Sequence, residues 1–371
     1  MSDPVIVSAK AAASACTEVL PAVATRLPEA VVYSNLARYD RRVREGGHHR
    51  LYRARQARLS PVDLVWWPGG TVVFGADGFP ARVGDSWIDE QFPPWYRDDP
   101  HMAGAAFAAQ RNLEDIGQEC LLLARFGEGT WGHWLGELLP RAVLAESAYP
   151  GRFSYAVPAW TTIPGSPGLS TSVLESMRAY GIGEDRLVRL ETDRNYRFQA
   201  LATVTSVRSD GAMHPGALAL MRSHVRVGSP AFGHYLPARV ASLRTGVGRR
   251  HIANAGPVAR ELARRGFLRV EFETLSFAQQ VAVLRSSSAL FCVLGSGLTG
   301  VIYSPDHIKV VAPAPVDWKD NFFYPLIQAR AGQFADVRGP IHVRDPIRMR
   351  DSSFRVRLYD LSEALSVLGL D

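Results

Sequence analysis

The sequence predicts an α/β protein of two domains, each built on a parallel sheet covered by helices. Two patterns predict this. After Cys120, strand-length apolar runs alternate with helical patterns, the signature of parallel strands joined by crossover helices. The alternation breaks at the linker-like Gly228-Ser229-Pro230-Ala231-Phe232-Gly233 and then restarts. Length agrees, because 371 residues exceed the size at which one hydrophobic core stops growing. The expected division is a first α/β domain over residues 1–227, opening with a strand- and turn-rich extension over 1–115, and a second α/β domain over 237–371 that ends in a tail helix.

In the extension, Val65-Trp66-Trp67-Pro68-Gly69-Gly70 and Val72-Val73-Phe74-Gly75 read as short strands joined by turns. The first alternating block is then expected as a strand over 120–126, a helix over 132–148, a strand over 153–157, a helix over 169–180, and strands over 186–190 and 201–207. The second block is expected as strands over 239–243, 268–272, 289–294 and 308–311. Its helices are expected over 257–265, 277–286, 298–303 and 323–331. Leu361, Leu365 and Leu368 stand at helical spacing in the tail, which is expected to pack back as a closing helix.

Composition narrows the function. With 47% hydrophobic and 21% charged residues the chain is an ordinary globular protein. The net charge of +6 invites a nucleic-acid reading, but lysine occurs only at Lys10, Lys309 and Lys319 and the arginines are scattered, so no nucleic-acid partner is expected. Arg38, Arg41, Arg42, Arg44, Arg50, Arg53, Arg55 and Arg58 form one cluster, readable as a solvated basic face or as a surface for anionic lipid. Cys16, Cys120 and Cys292 are far apart and show no CxxC spacing, so buried thiols in a reducing compartment are expected. The N-terminus lacks a basic segment before an apolar core, and no apolar run reaches the roughly 18 residues of a membrane span. The expectation is a cytoplasmic protein with at most peripheral contact at the inner membrane.

Four segments could carry chemistry. Trp131-Gly132-His133-Trp134-Leu135-Gly136-Glu137-Leu138-Leu139-Pro140-Arg141 follows a strand and turn, which puts His133 at the C-terminal edge of a sheet, where open α/β sheets bind ligands. His133, Glu137 and Arg141 fall on one helical stripe. Pro140 cannot donate to Gly136, which predicts a kink. Arg244, Arg249, Arg250 and Asn254 lie between a strand end and a helix start, an arrangement suited to a diphosphate and equally to a basic surface loop. Ser276 and Gln279 have capping-box spacing, with Glu273 just before them at a strand end. Gly295-Ser296-Gly297-Leu298-Thr299-Gly300 satisfies GxGxxG after an apolar strand, with Asp317 near the distance of a ribose-binding acid. Pro305 leaves barely two turns after that loop, so a phosphate cradle fits better than a dinucleotide site. The sequence holds no DxD, no HExxH and no zinc-spaced Cys/His cluster, and neither a metal nor a cofactor is expected.

In this order the four segments resemble glycosyltransferase family 61. The carrying residues are Gly132-His133-Trp134-Leu135 with Leu139-Pro140-Arg141; Ser242 and Arg244; Arg249-Arg250 and Asn254; Gly266-Phe267; Glu273 with Leu275-Ser276-Phe277-Ala278-Gln279-Gln280; Gly295 to Thr299; and Pro305. The resemblance covers roughly residues 120–315. It departs from the family at Leu294, Gly300 and Ala255, where the family has His, Asn and Glu. It implies a GT-B fold of two Rossmann-like domains facing a cleft, and inverting, metal-independent transfer from a UDP-sugar to a glycan or lipid-linked acceptor, as in capsular polysaccharide synthesis. On this reading His133 or Glu137 is the base, with Glu137 alternatively orienting the imidazole, and Trp134 and Arg141 lie on the acceptor side. Arg244, Arg249, Arg250, Asn254, Glu273, Ser276, Gly295, Ser296, Gly297, Leu298 and Thr299 would bind the donor. The alternatives are a nucleotide- or glycan-binding relative without turnover, and a dinucleotide-dependent oxidoreductase.

Overall fold

A computed structural model describes residues 5–39, 55–72, 81–83, 86–88, 113–124, 130–158, 169–191, 194–209, 211–227, 236–244, 249–318, 322–346 and 351–371. The linker-like segment 228–233, the end of the strand expected over 120–126, and Arg41, Arg42, Arg44, Arg50 and Arg53 lie outside the described residues. The chain folds into two compact α/β units: residues 1–23, 59–209 and 214–226, and residues 24–58, 210–213 and 227–371.

The first unit is built on a ten-stranded mixed sheet. Four neighbouring strands run parallel, in the order Asn195–Val204, Leu113–Leu122, Ser154–Pro158 and Leu187–Leu190. Val62–Pro68 and Thr71–Val72 then add antiparallel to Asn195–Val204. Cys120 to Ala124 are wholly buried, as a strand covered on both faces must be. Chain order reverses between Leu113–Leu122 and Asn195–Val204: successive strands are laid down on one side of Leu113–Leu122, and the last returns to its other side. This is a topological switch point, beyond whose C-terminal ends open sheets bind ligands.

The second unit has a six-stranded sheet in the order Leu268–Arg269, Arg239–Ser242, Ala289–Cys292, Lys309–Pro315, Gln333–Gly339 and Val31–Ser34, every neighbouring pair parallel. Its switch point lies between Arg239–Ser242 and Ala289–Cys292. Gly266 closes helix Ala255–Arg264 at φ +75°, where a side chain would be strained, and Phe267 donates its N–H to Leu262 O at 3.0 Å and enters the core.

Residues 31–34, which fall within the span expected for the first domain, form strand Val31–Ser34 and complete the second unit's sheet. Asn35, which is buried, holds it there. Its Nδ2 donates to Arg338 O at 2.9 Å, its Oδ1 accepts from Arg338 N at 2.6 Å, and Asp360 Oδ2 accepts from Nδ2 at 2.8 Å. Arg38 pairs with Asp360 and Glu363, so this member of the arginine cluster is a structural clasp. The tail forms helix Leu358–Val367, and Leu361, Leu365 and Leu368 bury themselves in the second unit's own core. Among the described residues no helix is long and apolar enough to cross a membrane. Cys16 is exposed, whereas burial pushes the Cys120 and Cys292 thiols up to about 12.

Candidate active site

In the first unit the helix expected over 132–148 is interrupted. A short α-helical turn, Trp131–His133, passes into a π-helical turn, Trp134–Leu138, and then into α-helix Leu139–Ala148. Pro140 has no N–H to give to Gly136. The backbone answers with an i to i−5 bond from Leu139 N to Trp134 O, so a π turn stands where a simple proline kink was expected.

The widened turn carries the His133–Glu137 pair. His133 Nδ1 lies 3.4 Å from Glu137 Oε1, with the imidazole about a third exposed and the carboxylate nearly buried. On the other side of the same oxygen, Arg208 Nη1 stands at 3.7 Å, its side chain 6% exposed. Arg208 follows strand Asn195–Val204, and His133 follows strand Leu113–Leu122. The two strands are hydrogen-bonded neighbours at the switch point, which is why residues so distant in sequence meet on one carboxylate. Nothing local in the sequence around Arg208 announces this role.

The two residues expected on the acceptor side are both buried. Trp134 is buried and donates from Nε1 to Ser176 Oγ at 2.9 Å, so it is a core residue. Arg141 is buried on the same helix.

The second unit concentrates cations at its own switch point. Gly295 has φ 156° and ψ −176°, a region only glycine populates readily. A Cβ built there would lie 3.2 Å from Arg244 Nη2 and 3.3 Å from Arg250 Nη2. Two guanidinium groups thus converge on the backbone that opens helix Ser296–Tyr303. Ser296 and Gly297 reach the surface there, in the turn whose N–H groups lack intrahelical acceptors, whereas the Leu298 and Thr299 side chains are wholly buried. Of the five loop residues expected at the donor, Ser296 and Gly297 are the ones that reach the surface.

Arg250 is held by residues outside the sequence-derived set. Its φ is +59°, a left-handed conformation rare for a non-glycine residue. Its N–H donates to Asp351 O at 2.8 Å and its Nη1 lies 3.6 Å from Asp351 Oδ1. Its guanidinium carbon sits 4.3 Å from the centroid of the Trp318 ring. Arg249 instead has Nε 3.5 Å from Asp351 Oδ2 with its side chain half exposed, while its carbonyl accepts from Arg244 Nη1 at 3.2 Å. Arg244 and Arg250 are brought to the loop; Arg249 braces them.

Asn254 is committed elsewhere: its amide donates to Val356 O at 2.8 Å and accepts from Val356 N at 2.9 Å, tying the start of helix Ala255–Arg264 to the tail. Ser276 caps helix Phe277–Ser286 in a complete capping box with Gln279. Glu273 is exposed and, like Arg244, lies within electrostatic range of the Cys292 thiol at the end of strand Ala289–Cys292. Asp317, the ribose acid of the dinucleotide reading, stands 3.3 Å from Arg344 Nη2. Among the described residues no group of three or more His, Cys, Asp or Glu side chains could hold a metal ion.

The first α/β unit thus carries a histidine–carboxylate pair, and the second carries guanidinium groups on a glycine loop. Residues 131–311 match the family model Glycosyltransferase 61, which supports membership of that family and makes the chain a glycosyltransferase. No curated protein matches it. The match ends before Trp318 and Asp351, so both arginine-holding residues lie outside it.

Two of the departures from the family have a packing correlate. Leu294 is buried and donates its N–H to Pro313 O at 2.9 Å. A Cβ on Gly300 would lie 2.7 Å from Leu284 Cδ1, so this glycine lets helix Ser296–Tyr303 lie directly on Leu284.

Proposed function

We propose that the protein is an inverting, metal-independent transferase of the GT-B type that moves a sugar from a UDP-sugar to a hydroxyl of a glycan or lipid-linked acceptor in polysaccharide synthesis. The observation that carries the donor half is the convergence of Arg244 and Arg250 on Gly295. Bidentate guanidinium groups and open N–H groups at a helix start suit a diphosphate, and preorganised donors of this kind stabilise the charge that develops as it departs. The absence of a DxD pair from the sequence supports arginine rather than a metal in this role.

The chemistry is a single displacement. The acceptor oxygen forms a bond to the anomeric carbon while the bond from that carbon to the donor phosphate oxygen breaks. The bonding pair leaves with UDP, and the acceptor proton passes to His133. With Nδ1 turned to Glu137, Nε2 is the nitrogen that takes it. Glu137, flanked by His133 and Arg208, orients the imidazole rather than acting as the base. The free cysteines support a reducing, cytoplasmic setting.

The test is a thermal-shift panel of nucleotides and UDP-sugars with and without EDTA, followed by turnover of any hit. A ligand at 100 times its Kd adds about 2.7 kcal/mol of stability. Stabilisation by UDP that EDTA leaves unchanged, with transfer to an acceptor, is the expected result. UDP binding without turnover of any donor would favour a binding relative, the reading to which Leu294 and Gly300 lend weight. Stabilisation by NAD alone would overturn the assignment.

A further inference from the structure

We propose that a depression at the C-terminal edge of the first unit's sheet is a saccharide site that holds the acceptor by its ring hydroxyls; its role as acceptor site rests on the transferase reading above. The depression has a volume of about 320 Å³, and its polar lining includes Lys10, Ser60, Asp63, Thr205, Arg208 and His214. That volume is at the small end of ligand sites, enough for one sugar ring of a longer glycan.

Its place in the fold is set by strand pairing. Thr205 to Ser209 leave the C-terminal end of strand Asn195–Val204, and Ser60 to Asp63 lead into strand Val62–Pro68, whose Leu64 pairs antiparallel with Val204. The depression therefore opens at the end of the sheet where His133 sits, one strand across. Arg208 joins the two: it lines the depression and its Nη1 lies 3.7 Å from Glu137 Oε1, the oxygen that faces His133.

The lining chemistry selects the ligand class. Lys10 Nζ lies 3.0 Å from Asp63 Oδ2, and the Asp63 side chain is 6% exposed. A carboxylate accepts up to about four hydrogen bonds, so Asp63 can serve sugar hydroxyls besides Lys10. Leu59, Pro61, Val62 and Val207 add apolar wall for the C–H face of a ring. The two basic groups are already matched, Lys10 by Asp63 and Arg208 by Glu137. Cations and carboxylates balance one for one here, whereas Arg249 and Arg250 share the single Asp351 at the glycine loop, so this depression favours a neutral saccharide over a free or lipid-borne phosphate.

The test uses the full chain and saturation-transfer NMR with a panel of methyl glycosides of common hexoses, pentoses and N-acetylhexosamines, with inorganic phosphate as a separate arm. Ser60 is exposed on the rim, so Ser60→Trp fills the depression without entering the core. Asp63→Asn keeps the shape and removes the charge. At least one glycoside should bind the wild type and bind each variant about tenfold more weakly or worse, the loss expected when a charged hydrogen-bond acceptor goes. UDP affinity measured on the same samples should stay unchanged, which separates loss of this site from loss of the fold. No binding by any glycoside, equal binding to wild type and Ser60→Trp, or binding of phosphate in place of glycosides would overturn the proposal. Glycoside binding that follows both variants while no UDP-sugar is turned over would leave the saccharide site standing and remove the transferase reading instead.

Discussion

The Arg250 guanidinium carbon lies 4.3 Å from the centroid of the Trp318 ring, and Asp351 secures the same residue through both its backbone and its side chain. A cation held on an aromatic face and by a carboxylate arrives at its anion already oriented, so less freedom is lost on binding.

This gives the first prediction. Arg250→Ala and Arg244→Ala should each weaken UDP binding by about 10–100-fold, the cost of losing a charge-assisted hydrogen bond. Asp351→Asn and Trp318→Leu should weaken it less, by about tenfold, because they loosen Arg250 without removing it. Arg249→Ala should weaken it least. Isothermal titration checks the ranking, and an Arg249 variant that loses as much as Arg250→Ala would show that the wrong guanidinium has been placed on the diphosphate.

The second prediction concerns the glycine loop. Gly295→Ala puts a Cβ where Arg244 and Arg250 meet and forces a backbone conformation that alanine resists, so UDP binding should fall at least as far as in Arg250→Ala. Restoring the family's residues with Gly300→Asn and Leu294→His requires Leu284 to yield and should cost stability. Gained or redirected transfer by that double variant would show that these positions set donor choice. Unchanged binding and turnover would show that neither position reaches the donor.

A third prediction concerns pH and the helix that carries His133. Burial alone would raise the Glu146 carboxyl, but hydrogen bonds from Arg186, Tyr155 and Gly151 outweigh it and hold the group below its ordinary value. Arg186 bonds both oxygens, at 3.0 and 2.7 Å, and ties the end of helix Leu139–Ala148 to the short turn Glu184–Arg186. A depressed folded value means the stabilisation is full above the ordinary value of 4.5 and is lost as pH falls below it. Glu146→Gln should lower stability at neutral pH by about 1–3 kcal/mol, and the gap from wild type should close in acid. Denaturant melts across pH check this; a gap that persists in acid would contradict the ionic account.

Glu137 supplies the fourth. If it orients His133, Glu137→Gln should lower kcat with little change in KM for donor, and Arg208→Met should do the same more weakly. A Glu137→Gln enzyme with unchanged kcat would remove the carboxylate from the mechanism.

The sequence made some of this legible. The alternation of apolar runs and helices revealed the parallel strands of both sheets, and the spacing of His133 and Glu137 revealed their contact. Local capping chemistry revealed Ser276 and Gln279. What stayed hidden was set by tertiary pairing. Arg208 reaches Glu137 because two strands are neighbours, and Asp351 reaches Arg250 because a tail segment returns to the site. Val31–Ser34 joins the second sheet because Asn35 fits the backbone of Arg338, a match that no local pattern encodes. Asn254 and Trp134 fell within the family's motifs, yet their polar groups satisfy Val356 and Ser176.

The central claim is a division of labour, with the arginines and the glycine loop binding the nucleotide and His133 moving the proton. It is tested most directly by titrating UDP, in the presence of EDTA, into wild type, His133→Ala and Arg244→Ala and measuring donor turnover on the same samples. The account predicts equal UDP affinity for wild type and His133→Ala, with turnover in the latter reduced about 10²–10⁴-fold, the usual worth of a positioned general base. It predicts that Arg244→Ala loses affinity first. Equal loss of UDP binding in both variants, or UDP binding that appears only when manganese replaces EDTA, would contradict it.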